Sequence, residues 1–187
     1  MRVVAIVPAA GRGERFGGSK LLARHNGEPI INWTLWSLLD GGVNRVIVVT
    51  APGADFSDVP LVADRRVRLT VNEDPSRGMF SSIQAGLSIA SGDPIVILPG
   101  DMPFVASSTV TEVVLACIRR HRIAIPVHQD QRGHPIAIPA SFRRAILLAP
   151  VESSLKHALS AAGGVPIEVP VADSGILRDV DTPADLN

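Results

Sequence analysis

The chain has 187 residues, with 18 Lys or Arg balanced by 18 Asp or Glu, so its formal net charge at pH 7 is zero. The length predicts a single domain over residues 1–187, and a 46 % hydrophobic composition without net charge excludes a disordered protein. One cysteine indicates a reducing, cytoplasmic compartment, the balanced charge and scarce aromatics exclude a nucleic-acid binder, and no apolar run approaches the roughly 18 residues of a membrane span.

Short apolar runs alternate with segments of helical periodicity through the first two thirds of the chain. In chain order we predict a strand over residues 3–7, a Gly-rich loop over 11–20, a turn at 26–27, a helix over 29–39, strands over 45–50 and 67–71, a helix over 79–90, a strand over 94–98 and a helix over 109–120. Such alternation is typical of a parallel sheet with helices on both faces.

The pattern changes after residue 120. We predict strands over residues 123–127 and 135–138 joined by a polar turn, helices over 141–148 and 153–162, a last strand over 167–171, and a tail at 179–186 that enters a short helix. The fold class is therefore α/β, a three-layer α/β/α arrangement whose sheet is mostly parallel with some antiparallel pairing in the C-terminal half. Ligands of such folds bind at the carboxyl ends of the strands.

The Gly-rich loop over residues 11–20 has the composition of a phosphate-binding loop. Its glycines allow close approach of an anion, and Arg12, Arg15 and Lys20 add three cations. Two familiar motifs fail here, because Phe16 replaces the third glycine of the dinucleotide fingerprint and no Ser or Thr follows Lys20 as in a P-loop. The alternative interpretation is a flexible turn with solvated charges.

Acidic residues follow the predicted strand over 94–98 and recur in the tail. Asp101 lies between two nearby prolines at the carboxyl end of that strand, where a carboxylate suits Mg²⁺ bound to phosphates, although aspartate is also common in such turns. Asp179 and Asp181 flank Val180, so an extended backbone would point both side chains the same way. Asp181 could equally cap the short helix that follows.

Five segments of the chain together resemble the MobA/MocA-like nucleotidyltransferases of molybdenum-cofactor synthesis. In order, they are Ala9-Ala-Gly-Arg-Gly-x-Arg-Phe-Gly-x-x-Lys20, Asn72 through Arg77-Gly-Met-Phe-Ser-Ser-Ile-Gln-Ala-Gly86, Pro99-Gly-Asp-Met-Pro103, Arg132-Gly-His-Pro135 and Asp179-Val-Asp-Thr-Pro183. The resemblance covers nearly the whole chain. It implies a Rossmann-like nucleotidyltransferase fold and Mg²⁺-dependent transfer of a nucleoside monophosphate to a phosphate acceptor, with release of pyrophosphate.

The resemblance also implies roles for individual residues. The nucleotide-binding set is Ala9, Ala10, Gly11, Arg12, Gly13, Arg15, Lys20, Asn72 and Gly78. The catalytic set is Lys20, Arg15 and Asp101, and the metal ligands are Asp101 and Asp181. The acceptor-side set is Met102, Pro103, Gly133 and His134. His134 has an alternative interpretation as a strand-end histidine bonded to backbone.

Two segments favour one branch of this family. The guanylyl-transferring branch typically has Ala-Gly-Gly in the first loop and Pro-Cys-Asp before the metal carboxylate, whereas this chain has Ala9-Ala10-Gly11 and Pro99-Gly100-Asp101. It is more similar to the cytidylyl-transferring branch, which implies CTP and a phosphorylated pterin as substrates and a molybdoenzyme or its chaperone as partner. The alternatives are guanylyl transfer, a methylerythritol-phosphate cytidylyltransferase, and, in other classes, a nucleotide-dependent oxidoreductase or a non-catalytic cofactor-maturation protein of the same fold.

Overall fold

The computed structural model describes residues 2–11 and 20–186. Its strands are β1 (Val4–Ala9), β2 (Arg24–His25), β3 (Glu28–Pro29), β4 (Arg45–Thr50), β5 (Val67–Val71), β6 (Ile95–Ile97), β7 (Ala124–His128), β8 (Gln131–Arg132), β9 (Ile136–Ile138) and β10 (Ile167–Pro170). Its α-helices are α1 (Ile30–Asp40), α2 (Met79–Ile89), α3 (Ser107–Arg120), α4 (Arg143–Leu148) and α5 (Leu155–Ala161). Short 3₁₀ turns lie between them.

The main sheet has the strand order β5-β4-β1-β6-β9-β7-β10, and β8 pairs with β7. Strands β5, β4, β1 and β6 are parallel, whereas β9 is antiparallel to both of its neighbours, β6 and β7. Strand β10 is again parallel to β7. The predicted sheet, mostly parallel with antiparallel pairing in the C-terminal half, is confirmed.

The sheet is covered by helices on both faces, which confirms the three-layer arrangement. Successive side chains of β1 alternate between the faces. Ala5 and Val7 pack with α1 and α3, whereas Val4 and Ile6 pack with α2, α4 and α5. All four side chains are almost completely buried, which explains why the strand has apolar residues at every position.

A small hairpin was missed by the sequence analysis. Strands β2 and β3 pair in antiparallel register around Asn26 and Gly27, which both have positive φ, at 50° and 85°. Strands of two residues are too short to show an alternating pattern, so only the Asn-Gly turn between them is visible in the sequence. Within residues 2–11 and 20–186, none of the helices has the length and apolarity needed to cross a membrane.

The C-terminal tail is tied to the start of α3 and to the segment after β6. The carboxylate of Asp173 accepts hydrogen bonds at 2.8 Å from the N–H of Ala106 and from the hydroxyl of Thr109, in the first turn of α3. Further along, the N–H of Val180 donates to the carbonyl of Asp101 at 2.9 Å. These bonds fix the tail against the carboxyl end of β6, a segment that is distant from the tail in sequence.

Cys117, the single cysteine, lies on the buried face of α3, and 2 % of it is exposed. Burial, with a smaller effect from the charge of Asp93, raises the pKa of its thiol to about 12. We expect no reaction with a thiol reagent at neutral pH in the folded protein and one equivalent after unfolding in guanidinium, because the thiolate is the reactive species. Rapid labelling under native conditions would contradict the buried position.

Candidate active site

A cleft opens at the edge of the sheet where the parallel strands β1, β4 and β6 end. It has a volume of about 290 Å³ and is formed by the segments after β1 and β6 and by the first turn of α2. Six residues predicted to bind nucleotide or metal line it, namely Ala9, Ala10, Gly11, Lys20, Gly78 and Asp101. A second cleft of about 240 Å³, beside the end of β4, shares Ala9, Gly11 and Lys20 with the first.

Asp101 lies in a segment whose backbone is fixed on several sides. The N–H of Gly100 donates to the carbonyl of Pro8 at 3.1 Å, and the carbonyl of Gly100 accepts from the hydroxyl of Thr34 at 3.1 Å. The carbonyl of Asp101 accepts from the N–H of Val180 in the tail. The backbone that carries this carboxylate is therefore fixed at the cleft by bonds that leave both carboxylate oxygens available.

Three aspartates form an acidic cluster at this point. Val180 is fully buried, and Asp179 and Asp181 on either side of it both reach back to Asp101. One carboxylate oxygen of each aspartate lies within 4.8 Å of the other two. Carboxylate oxygens are the ligands that hard divalent cations prefer, and Mg²⁺ bound with phosphates takes one or two of them, so this donor set fits such a cation. Asp179 had not been predicted as a metal ligand.

Lys20 joins the phosphate-binding side of the cleft to the acidic cluster. Its Nζ donates to Oδ2 of Asp101 at 2.8 Å and to Oδ1 of Asp181 at 3.0 Å. Burial by itself would lower the pKa of Lys20, but the hydrogen bonds and charges of the two aspartates outweigh it and raise that pKa above its usual value. Lys20 is therefore an ammonium ion at neutral pH, with 14 % of its side chain exposed.

A different carboxylate holds the turn that follows the acidic cluster. Asp185 accepts hydrogen bonds from the N–H of Thr182 at 2.6 Å, from the Thr182 hydroxyl at 2.9 Å and from the N–H of Asp181 at 3.0 Å. These bonds lower the pKa of the Asp185 carboxyl. The carboxylate of Asp181, for which the sequence left a cap or a metal ligand open, lies in the acidic cluster and contacts Lys20.

Asn72 lies behind the cleft wall, where it orders the first turn of α2. Its amide nitrogen donates to the hydroxyls of Ser81 at 2.8 Å and Ser82 at 3.0 Å, and its amide oxygen accepts from the N–H of Asp74. Gly78 begins the helix with φ of 85°, which favours glycine. Ser82 lines the cleft but was not predicted, and its sequence signal is its position one helical turn after Gly78.

The four residues predicted on the acceptor side have different surroundings. Met102 and Pro103 are buried, and Met102 packs in the core beneath α1 and α3. Gly133 lies so close to the backbone of Ile176 that a Cβ added to it would be 2.2 Å from the Ile176 carbonyl oxygen. The N–H of His134 donates to that same carbonyl at 3.1 Å.

The side chain of His134 lies near Asp101 and Asp179 because β9 is antiparallel to β6, so that the residues before β9 lie at the carboxyl end of β6. Its Nδ1 is buried and has no hydrogen-bond partner among residues 2–11 and 20–186. Burial lowers the pKa of His134, against the opposing effects of Asp101, of a hydrogen bond to the backbone of Ile97 and of Asp179. The imidazole is therefore neutral at pH 7.

Three predicted residues, Arg12, Gly13 and Arg15, lie outside the described residues, and their roles stay predictions. Of the other residues predicted to bind phosphate or metal, the structure brings Lys20, Asp101 and Asp181 into direct contact. Asn72 and Met102 are buried and do not line the cleft, so they support it from behind. The arrangement places the ammonium ion of Lys20, the carboxylate of Asp101 and a helix N-terminus around one cleft, with Asp179 and Asp181 next to Asp101.

Comparisons with known proteins identify the family and the fold of the chain. The model of the MobA-like NTP transferase domain matches residues 5–165. A probable molybdenum cofactor guanylyltransferase of Thermococcus gammatolerans is 29 % identical over 119 residues, which cover 63 % of this chain and 62 % of that protein. A 2-C-methyl-D-erythritol 4-phosphate cytidylyltransferase of Clostridium botulinum is 33 % identical over 119 residues, which cover 60 % of this chain and 52 % of that protein.

The chain thus spans about three fifths and about half of these two relatives. Among solved structures, a nucleotidyl transferase from Methanothermobacter thermautotroptrophicus superposes with a TM-score of 0.78 at 24 % identity, over 98 % of this chain and 94 % of that one, which shows a shared fold. Because the family model matches residues 5–165, which is most of its length, the chain belongs to the family of MobA-like NTP transferase domains.

Proposed function

We propose that the protein is a Mg²⁺-dependent nucleotidyltransferase that moves CMP from CTP to the phosphate of molybdopterin and releases pyrophosphate. The observation that supports this most strongly is the contact between Lys20 and the acidic cluster at the edge of the cleft. A phosphate-binding cation and a set of metal-binding carboxylates are the two requirements of phosphoryl transfer without a covalent intermediate.

In the proposed reaction, an oxygen atom of the acceptor phosphate attacks the α-phosphorus of CTP. The new P–O bond forms as the bond between the α-phosphorus and its bridging oxygen breaks, and the electron pair leaves with pyrophosphate. The attacking oxygen is already ionised, so the chain needs no general base. Its task is to hold two anions in line and to offset their charge. Mg²⁺ held by Asp101 and Asp181 would supply Lewis-acid stabilisation of the phosphates.

Other residues of the cleft suit the nucleotide phosphates. The N-terminus of α2 opens onto the cleft at Gly78, and free N–H groups at a helix N-terminus favour anions. Gly11 lines the cleft without a side chain that would keep a phosphate away from the backbone. Lys20, together with Arg15 earlier in the same Gly-rich segment, would stabilise the departing pyrophosphate.

The choice of CTP is supported by Ala10. Its side chain is 4 % exposed on the cleft wall, at a position where guanylyl-transferring members of the family typically have glycine. The added methyl group leaves less room for a base and favours the smaller pyrimidine. The second candidate is guanylyl transfer to the same acceptor, which the similarity to the Thermococcus gammatolerans protein favours. In either case, a molybdoenzyme or its chaperone would receive the product.

The proposal is tested with purified protein, Mg²⁺ and molybdopterin, to which CTP, GTP or ATP is added separately. We expect pyrophosphate release with CTP at least about tenfold faster than with GTP, and a smaller ratio for the Ala10→Gly variant, since differences of pocket size are worth roughly 10- to 200-fold. Faster release with GTP would contradict the choice of base. Turnover with methylerythritol phosphate in place of molybdopterin would contradict the acceptor, and no release with any combination would contradict the reaction.

A further inference from the structure

We propose that Lys20 is an internal counter-ion that occupies the metal position until nucleotide binds. The triphosphate would draw the ammonium group away from the carboxylates, so that the divalent cation binds tightly only together with the nucleotide or after it. This inference rests on the proposed function, because it concerns the order in which the two ligands of that reaction enter the site.

Lys20 and a metal ion at the two aspartates would be too close to be bound together. Nζ of Lys20 lies 2.8 Å from Oδ2 of Asp101 and 3.0 Å from Oδ1 of Asp181. Mg²⁺ coordinated by the same two oxygen atoms would lie about 2.0–2.1 Å from each of them. The ammonium group and the metal ion would then occupy almost the same space between the two aspartates. One of them can bind these oxygens only when the other has left.

The charge of Lys20 also opposes the binding of a second cation. The acidic cluster would carry three negative charges if all three aspartates were ionised, and Lys20 supplies one positive charge in their midst. The Lys20 side chain is 14 % exposed, so solvent screens its repulsion of a second cation poorly. A free divalent cation must therefore displace a charged partner that already satisfies two of the three carboxylates.

Lys20 lies between the acidic cluster and the space available for a nucleotide. The residue lines the cleft of about 290 Å³ and also the neighbouring cleft of about 240 Å³. A lysine has four rotatable methylene groups and a compact charge, so Nζ can move from carboxylates to phosphates without a change in the backbone. A triphosphate in these clefts would compete with the aspartates for the same ammonium group.

The principal test measures Mn²⁺ binding without nucleotide, by electron paramagnetic resonance of the free ion. We expect Lys20→Gln to bind Mn²⁺ at least about tenfold more tightly than the wild type, since one like charge within a few ångströms has been removed. The chain has one other lysine, Lys156, which is exposed on α5, so Lys156→Gln removes the same charge elsewhere and should leave the affinity unchanged. Equal affinities of all three proteins would overturn the proposal.

A second measurement uses the wild type, in case Lys20→Gln does not fold. With lysine labelled by ¹³C at Cε, the two lysines give two NMR signals. Saturating Mg²⁺, and separately inorganic triphosphate with EDTA, should each shift the Lys20 signal and leave that of Lys156 in place. A Lys20 signal that neither addition shifts would overturn the proposal. Neither measurement involves an acceptor, a base or turnover, so each can fail while the proposed transfer stands, or succeed while it fails.

Discussion

Asp101→Asn is expected to reduce the rate of pyrophosphate release by about a thousandfold or more while the fold stays intact. Asparagine has nearly the same volume, and the bonds that position this segment come from the backbone of Gly100 and of residue 101. The substitution removes the charge that a divalent cation needs, and such a charge is worth several kcal/mol in the transition state. The measurement is Mg²⁺-dependent turnover, with circular dichroism and thermal unfolding as checks of the fold.

The matched control for this variant is Asp58→Asn. Asp58 is exposed in the segment after β4, so the same chemical change there should leave turnover unchanged. The two variants should also differ in Mn²⁺ affinity, which should fall for Asp101→Asn alone. Full activity of Asp101→Asn would mean that the metal ion is held without this carboxylate, and the proposed site would be wrong.

Gly133→Ala is expected to lower the free energy of unfolding by about 3 kcal/mol, which in a chain of this size lowers Tm by roughly 6–12 °C. A Cβ at this position would lie 2.2 Å from the carbonyl oxygen and 2.8 Å from the carbonyl carbon of Ile176, so backbone must move on one side or the other. The same carbonyl holds the N–H of His134. We therefore expect weaker Mn²⁺ binding as well, because the tail that carries Asp179 and Asp181 is displaced.

The control for Gly133→Ala is Gly163→Ala at the end of α5. Gly163 has φ of 75° and no atom within 4 Å of an added Cβ, so its replacement strains the backbone without a steric clash. That strain is worth about 1–2 kcal/mol, and it lies far from the acidic cluster. Equal losses of stability in the two variants, or unchanged Mn²⁺ binding by Gly133→Ala, would contradict the close packing of Gly133 against the backbone of Ile176.

Much of the fold could be predicted from the sequence because the central strands are buried on both faces. Strand β1 is a run of apolar residues for this reason, and β4 likewise is almost fully buried. Strand β5 lies at the edge of the sheet and is mostly exposed, yet the valine at each of its ends still indicated a strand. The β2–β3 hairpin was missed because its strands have two residues each, which is too few for any periodicity.

The site could be predicted as a set of residues but not as a set of contacts. Lys20 follows β1 and Asp101 follows β6, and each could be predicted as a site residue because the carboxyl ends of parallel strands share one edge of the sheet. Their direct contact joins positions 81 apart in sequence, and the contact with Asp181 joins positions 161 apart. A single sequence has no signal for such pairs. The sequence therefore predicts Lys20 as a phosphate ligand, and its position between two carboxylates could not be predicted.

Gly133 shows a different limit. The Arg-Gly-His-Pro segment predicted it as a contact of the acceptor, and the structure gives a packing reason for glycine at this position that needs no ligand. A motif shows which residues belong together, but not which of them contact a substrate. Close approach of two backbones is a property of the folded chain and leaves no mark on the residues nearby.

The reversed direction of β9 has a consequence for how such a domain can diverge. The parallel strands bring the segments that follow them to one edge of the sheet, whereas β9 runs in the opposite direction to β6 and brings the residues before it, at 133–135, to that same edge. Insertions or exchanges before β9 would change the surroundings of the acidic cluster and leave the lining of the cleft, which comes from residues up to Asp101, untouched. Under the proposed function, the residues before β9 would be free to adapt to a new acceptor while the cleft keeps its nucleotide.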